Sequence, residues 1–195
     1  MSNNNRKLSI LNPIMFKQHN ILLKSIILVC FLFETYKSNV FAQTDDVFTI
    51  YLVRHSEKDY SSENASDLPL STCGEQRSQD LCNFLNDIHL DAVYCTDYTR
   101  TRNTALPTAI AKDIDITLYD TQNLNSFSKY LLANKQDALV VGHSYSTGVL
   151  AGLLTNETIG DIDLDIYNRI YQVIICGESR KLNLFNSSFE CIELK

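Results

Sequence analysis

The sequence predicts an α/β fold, a three-layer sandwich with a mainly parallel central sheet and an antiparallel C-terminal edge. Three observations carry that expectation. Short apolar runs alternate with stretches of helical periodicity, the order expected of strands and helices in turn. The apolar runs are β-rich and nearly uninterrupted, as in strands covered on both faces. The last part of the chain changes to extended segments separated by turn residues, the pattern of a hairpin edge. Composition agrees: 195 residues, 45% hydrophobic and 21% charged, with six Gly and three Pro, describe a globular chain and exclude a disordered or collagen-like one.

Taken in order, Val47 to Val53 reads as the first strand and is followed by a polar loop, Glu57 to Pro69. Ser71 or Thr72 can cap a helix in which Leu81, Phe84, Leu85 and Ile88 recur at i, i+3, i+4 and i+7. Ala92 to Cys95 is a second strand. A helix from about Arg100 to Lys112 places Ala105, Leu106, Ala109 and Ile110 on one side, with Pro107 either kinking it or marking its start. Ile116 to Leu118 is a short strand, Leu124 to Asn134 is helical, Ala138 to Val141 is a fourth strand, and Gly148 to Leu154 begins another helix. Arg169 to Cys176, Arg180 to Phe185 and Phe189 to Leu194 are the extended segments of the edge.

Ahead of the first strand, residues 1–42 carry Arg6, Lys7, Lys17, Lys24 and Lys37 against Glu34 alone. A short apolar run, Ser25 to Phe33, follows the basic flank, and Val40 and Ala42 precede Gln43 with the small side chains that signal peptidase accepts. Residues 1–42 are therefore expected to be a secretory signal peptide, with Met1 or Met15 as the start, and residues 43–195 a single exported domain, periplasmic or secreted. Lys24 and Glu34 bracket fewer apolar residues than the ~20 that a spanning helix needs, so no stable membrane span is expected after cleavage. Lipidation at Cys30 fits less well, because Val29 and Phe31 are bulky. Export leaves Cys73, Cys82, Cys95, Cys176 and Cys191 in a compartment where disulfides persist, and an odd number leaves at least one thiol unpaired. Cys82 and Cys95 fall on core positions, and a Cys176 to Cys191 bridge is one available pairing.

A net charge of −6 argues against a nucleic-acid binder relying on overall field. There is no Cys-x-x-Cys and no His/Cys cluster at zinc-ligand spacing, so no metal is expected. In sheets of this kind the working atoms lie beyond the carboxyl ends of the strands. Strand one runs into Arg54-His55-Ser56-Glu57, strand four into Gly142-His143-Ser144, and strand two into Thr96-Asp97-Tyr98-Thr99-Arg100-Thr101-Arg102. Two histidines and two or three arginines therefore meet at one edge. Guanidinium groups bind phosphate oxygens in pairs, and a helix N-terminus adds oriented N–H groups. Arg102 lies two residues beyond Arg100, which turns it elsewhere on a helix.

These segments resemble the histidine phosphatase superfamily, also called the phosphoglycerate mutase-like fold, in its short branch. VRHSEK at 53–58 is similar to the family's Arg-His-Gly-Glu block, LSTCGEQRSQDL at 70–81 to its Leu-Thr-x-x-Gly-x-x-x-Ala helix start, and YCTDYTRTRNTALP at 94–107 to its Ser-x-x-x-Arg-x-x-x-Thr-Ala block. VVGHS at 140–144 resembles the segment with the second histidine. The departures are Ser56 for the usual Gly and Gln79 near the family's Ala. The resemblance implies that His55 is a nucleophile forming a phosphohistidine. It implies that Arg54, Arg100 and His143 hold the phosphate, without metal or cofactor. Glu57 would contact substrate or orient the loop, and Asp120, in Leu118-Tyr119-Asp120, is the candidate proton donor with Glu57 as the alternative.

The implied activity is hydrolysis of phosphomonoesters or of protein phosphohistidine, with a small phosphorylated substrate or a phosphoprotein as partner. A mutase-type phosphotransferase and a non-catalytic phosphate-binding module are the alternatives. The short span between Ala105 and His143 leaves no room for a lid, so an open cleft is expected.

Overall fold

A computed structural model describes residues 46–191 of the chain. Six strands form one sheet: β1 (Val47–Arg54), β2 (Ala92–Cys95), β3 (Ile116–Leu118), β4 (Ala138–Gly142), β5 (Arg169–Cys176) and β6 (Ser179–Asn186), in the order β3-β2-β4-β1-β5-β6. Strands β3, β2, β4 and β1 run parallel, while β5 is antiparallel to β1 and β6 to β5. The expected parallel sheet with an antiparallel edge is present. Four helices cover it: α1 (Thr72–Phe84), α2 (Thr99–Lys112), α3 (Leu124–Asn134) and α4 (Ser144–Thr155).

The period of two along a strand divides the core into two layers. Ile50 and Leu52 of β1 point to the side where Leu131 of α3 and Leu150, Ala151 and Leu154 of α4 pack. Tyr51 and Val53 point to the other side, against Leu81 of α1, Leu85, and Ala105 and Ala109 of α2. Both faces of β1, β2 and β4 are thus buried, which explains why they read as nearly unbroken apolar runs, while β3 at the sheet edge is largely exposed. Among the described residues no helix is long and apolar enough to cross a membrane. The signal-peptide expectation falls on residues outside those described.

Several elements depart from the expectations. Ser71 caps α1, its Oγ accepting from the Gly74 N–H at 3.1 Å. Phe84, expected in the core, is exposed and meets Phe185 of β6 at 6.3 Å between ring centroids. In α2 the expected apolar side is wrong by part of a turn. Thr101, Thr104 and Thr108 are buried beside Ala105 and Ala109, while Leu106 and Ile110 are exposed. The threonine methyls pack, and two of the hydroxyls return to nearby backbone carbonyls, Thr101 to Tyr98 and Thr104 to Arg100. Pro107 lies inside the helix rather than at its start.

Helix α4 begins at Ser144, four residues before the expected Gly148, because Ser146 Oγ accepts from the His143 N–H at 2.9 Å and closes the first turn. The third extended segment is not a strand in residues 189–191, and the rest of it lies outside the described residues. That segment turns toward α1 instead. Cys191 pairs with Cys73, with Cα atoms 5.4 Å apart, and Cys176 is free. A Cys176 to Cys191 bridge does not form because Cys176, at the end of β5, faces Ser179 across the hairpin, and β6 then carries the chain away from it along the length of the strand. Cys82 and Cys95 are free and buried, as expected.

Candidate active site

Register brings the site together. Arg54 stands opposite Gly142, and Cys95 opposite both Val141 and Leu118, so β1, β2, β3 and β4 end at the same level. The next residues, His55, Thr96, Tyr119-Asp120 and His143, therefore emerge along one edge. A Cβ at Gly142 would lie 2.6 Å from the Tyr119 hydroxyl and 2.8 Å from Ser146 Oγ, so glycine there lets these two side chains close over the end of β4.

His55 is buried, and its N–H donates to the Gly142 carbonyl at 2.9 Å, which fixes the loop to β4. Its Nδ1 lies 2.8 Å from the Ser56 carbonyl. A carbonyl only accepts, so Nδ1 carries the hydrogen and the neutral ring presents the lone pair of Nε2. Burial pushes the pKa of His55 down to about 3, with Arg54, His143 and Arg100 acting in the same direction and the Ser56 hydrogen bond opposing them. His143 sits with its ring centroid 5.5 Å from that of His55 and is likewise lowered, to about 4, by burial and then by Arg100, Arg54 and Lys58. Its Nε2 is 2.9 Å from Thr96 Oγ1, which is itself 2.9 Å from Thr101 Oγ1. Both imidazoles are neutral at pH 7.

The two arginines are held by different means. Arg54 is 4% exposed, and one terminal nitrogen donates to the carbonyls of Asp163, Leu164 and Ile166 at 3.1, 2.9 and 2.9 Å. Its guanidinium lies 4.0 Å from the centre of the Tyr167 ring. Arg100 rests over Tyr98 at 4.3 Å and lies 3.6 Å from Asp67, whose carboxylate also receives the Thr99 N–H and hydroxyl. The Nε–H groups of Arg54 and Arg100 are buried and have no hydrogen-bond partner among the described residues. Both guanidinium groups lower the pKa values of the two imidazoles, so the four side chains share one place at the strand ends.

The remaining sequence-derived residues fall at the rim. Glu57 is clamped by Arg77, whose Nε lies 2.9 Å from both carboxylate oxygens and whose terminal nitrogen lies 2.6 Å from one. A Cβ at Gly74 would collide with the Glu57 carbonyl, so α1 abuts the His55 loop directly. Asp120 is exposed and caps a short turn, accepting from the Gln122 N–H at 2.8 Å and the Asn123 side-chain amide at 3.0 Å. Its neighbour Thr121 reaches the Tyr145 hydroxyl at 3.3 Å, and Tyr145 stacks on His143. Arg102 turns away to Asp97 at 2.6 Å. Ser56, in the place of the usual Gly, is buried and its N–H donates to Thr104 Oγ1 at 3.0 Å, tying the His55 loop to α2.

The sequence did not point to Tyr98, Tyr145, Tyr167, Asp67 or the carbonyls of residues 163–166. Only the positions of Tyr98, two residues before Arg100, and Tyr145, two residues after His143, carried a signal. The others come from loops without periodicity.

Comparison with known proteins follows the same lines. Residues 50–128 match the family model described as histidine phosphatase superfamily (branch 1). No curated protein matches the chain. Among solved structures, the protein histidine phosphatase SixA complexed with tungstate is 19% identical, with a TM-score of 0.61, covering 71% of this chain and 97% of that one. The mycobacterial glucosyl-3-phosphoglycerate phosphatase is 12% identical, with a TM-score of 0.58, covering 73% and 100%. The alpha-ribazole phosphatase from Shigella flexneri is 14% identical, with a TM-score of 0.56, covering 75% and 100%. At these identities the structural likeness establishes the fold.

The depressed histidines give the protein a pH signature. Both have folded pKa values below the ordinary ~6.5 of an unfolded imidazole, so the unfolded chain binds more protons between about pH 4 and 6.5. Stability from these two groups is complete above pH 6.5 and is lost as pH falls toward 4. The midpoint of thermal unfolding is expected to rise from pH 4.5 to 6.5 and then level, with a shallower rise in His55→Gln and His143→Gln. Equal slopes in wild type and variants would contradict the assignment.

Proposed function

We propose that the chain is a phosphatase of the histidine phosphatase type, a reading supported by the match of residues 50–128 to the model of that superfamily (branch 1). In this reading it hydrolyses phosphorylated substrates through a phosphohistidine on His55, without a metal ion. The observation that carries this reading is a neutral, tautomer-fixed His55 beside two buried guanidinium Nε–H groups with no partner among the described residues.

In the first step the phosphate oxygens are received by Arg54, Arg100 and His143, and the lone pair of His55 Nε2 attacks phosphorus in line with the leaving atom. The N–P bond forms as the bond to the leaving atom breaks, and the departing atom takes a proton from Asp120 or from water. In the second step water attacks phosphorus and gives up a proton to Asp120 or to bulk water, the N–P bond breaks, and inorganic phosphate leaves His55 in its neutral form. The Nδ1 hydrogen bond to the Ser56 carbonyl stabilises the positive charge that the ring carries while phosphorylated. Arg54 and Arg100 supply fixed positive charge that stabilises the charge developing on the equatorial oxygens. Glu57 acts through its ion pair with Arg77 to hold the loop carrying His55.

The basic leader, its apolar core and the small residues before Gln43 support an exported protein. Terminal sequencing of the protein recovered outside the cytoplasm is expected to return Gln43. Recovery of an intact Met1 or Met15 terminus from the cytoplasm would refute export.

Hydrolysis of p-nitrophenyl phosphate is expected to persist in excess chelator and to be inhibited by vanadate. His55→Ala should abolish turnover while retaining vanadate binding. Asp120→Asn should slow alkyl phosphates by the ~10²- to 10⁴-fold of general acid catalysis and leave p-nitrophenyl phosphate nearly unchanged. Turnover that disappears with chelator, or that survives in His55→Ala, would overturn the mechanism.

A further inference from the structure

The residues that follow β6 run back along α1, and alternate ones meet it. Ser187 Oγ donates to the Asp80 carboxylate at 2.7 Å. The Phe189 ring lies against the Arg77 guanidinium, with the guanidinium carbon 4.8 Å from the ring centre. Cys191 is bonded to Cys73. Ser188 and Glu190, which lie between them, are exposed. On α1 the contacted residues are Cys73, Arg77 and Asp80, spaced i, i+4 and i+7 along one stripe of the helix. A period of two laid on that stripe makes residues 187–191 a strap.

The middle of the stripe also reaches the loop that carries His55. Arg77, on which Phe189 rests, is the residue that clamps Glu57, and Gly74, next to Cys73, abuts the Glu57 carbonyl. The Ser71 N–H donates to that carbonyl at 3.0 Å. Glu57 is two residues from His55, so the start of α1 holds the loop through both backbone and side chain. A hydrogen bond and a cation–π contact at the surface are individually weak. The strap stays in place because it is tied at both ends, by β6 and by the bond to Cys73. Cys82, Cys95 and Cys176 are free, so this is the one disulfide among the described residues, and Cys191 is exposed to an attacking thiol.

We propose that Phe189 is a positioning residue for His55, acting through Arg77 and Glu57, and that the Cys73–Cys191 disulfide is its latch, so that turnover falls when a dithiol opens the bond. This rests on the phosphatase reading above and adds to it a redox control. In the opening step a thiolate of the reductant attacks one sulfur, the S–S bond breaks, and a mixed disulfide forms. The second thiol of the reductant then displaces the protein sulfur, leaving Cys73 and Cys191 as thiols and the reductant as a cyclic disulfide. Arg54, Arg100 and His143 are held by other partners, the carbonyls of residues 163–166, Asp67 and Thr96. Phosphate affinity is therefore retained, and the loss falls on the step that needs His55 in line.

The test compares the purified protein before and after incubation with dithiothreitol, opening of the bond being confirmed by alkylation of Cys73 and Cys191. All measurements are made well below the thermal unfolding midpoint of each form. Reduction is expected to lower kcat on p-nitrophenyl phosphate about 10-fold, within the ~10²-fold that a displacement of about 1 Å can cost. The inhibition constant of orthophosphate should change less than about twofold. Phe189→Ala should give the same split with the disulfide intact, and Phe189→Tyr should restore kcat. The double variant Cys73→Ser, Cys191→Ser should be slow from the start and indifferent to dithiothreitol. Unchanged kcat after reduction would overturn this inference and leave the phosphatase reading standing. So would equal losses of kcat and orthophosphate affinity, or Cys73 and Cys191 that stay unbonded in the oxidised protein. No turnover in the disulfide form, or turnover that survives in His55→Ala, would overturn both.

Discussion

The site depends on the register between β1 and β4. Arg54 lies opposite Gly142, and the ladder continues one step further through the hydrogen bond from the His55 N–H to the Gly142 carbonyl. Because β2 holds the same level against β4, the parallel strands deliver their terminal residues to one place. A slip of one residue would turn Arg54 and His143 to opposite faces. An acidic chain can in this way concentrate positive charge locally. The sheet fixes the positions, and the residues just beyond it supply the chemistry.

Holding cations in a buried site requires that their desolvation be offset. For Arg54 the offset comes from the carbonyls of Asp163, Leu164 and Ile166 and from the face of Tyr167. The segment between α4 and β5 wraps over the strand end for this reason, anchored by the Ile162 N–H to the Ser144 carbonyl at 2.8 Å and by the buried side chain of Ile162. For Arg100 the offset comes from Tyr98 and Asp67. The same desolvation, together with the nearby guanidinium charges, keeps both imidazoles neutral, so burial that would seem only to cost stability also leaves a lone pair on His55 Nε2.

The sheet and the residues at its strand ends were legible in the sequence because their signals are local. An apolar run that ends directly in a histidine can be recognised without its partners: Leu139 to Val141 leads straight into Gly142-His143, and Ile50 to Val53 leads into Arg54-His55. What was not legible depends on partners distant in sequence. The buried face of α2 consists largely of threonines whose polarity hides their packing, and the start of α4 rests on a serine bonding back to the backbone. The pairing of Cys191 with Cys73 rather than Cys176 depends on where the chain goes after β6, which no spacing records. The tyrosines around His143 and Arg54 come from separate segments and become a group only when the sheet closes.

The central claim is that phosphorus passes through His55 and is then released to water, two in-line displacements in succession. The most direct measurement is the stereochemical course at phosphorus, followed with a substrate made chiral by oxygen isotopes and transferred to an acceptor alcohol in place of water. Two displacements predict net retention of configuration. Inversion would show a single direct transfer from substrate to acceptor and would contradict the account.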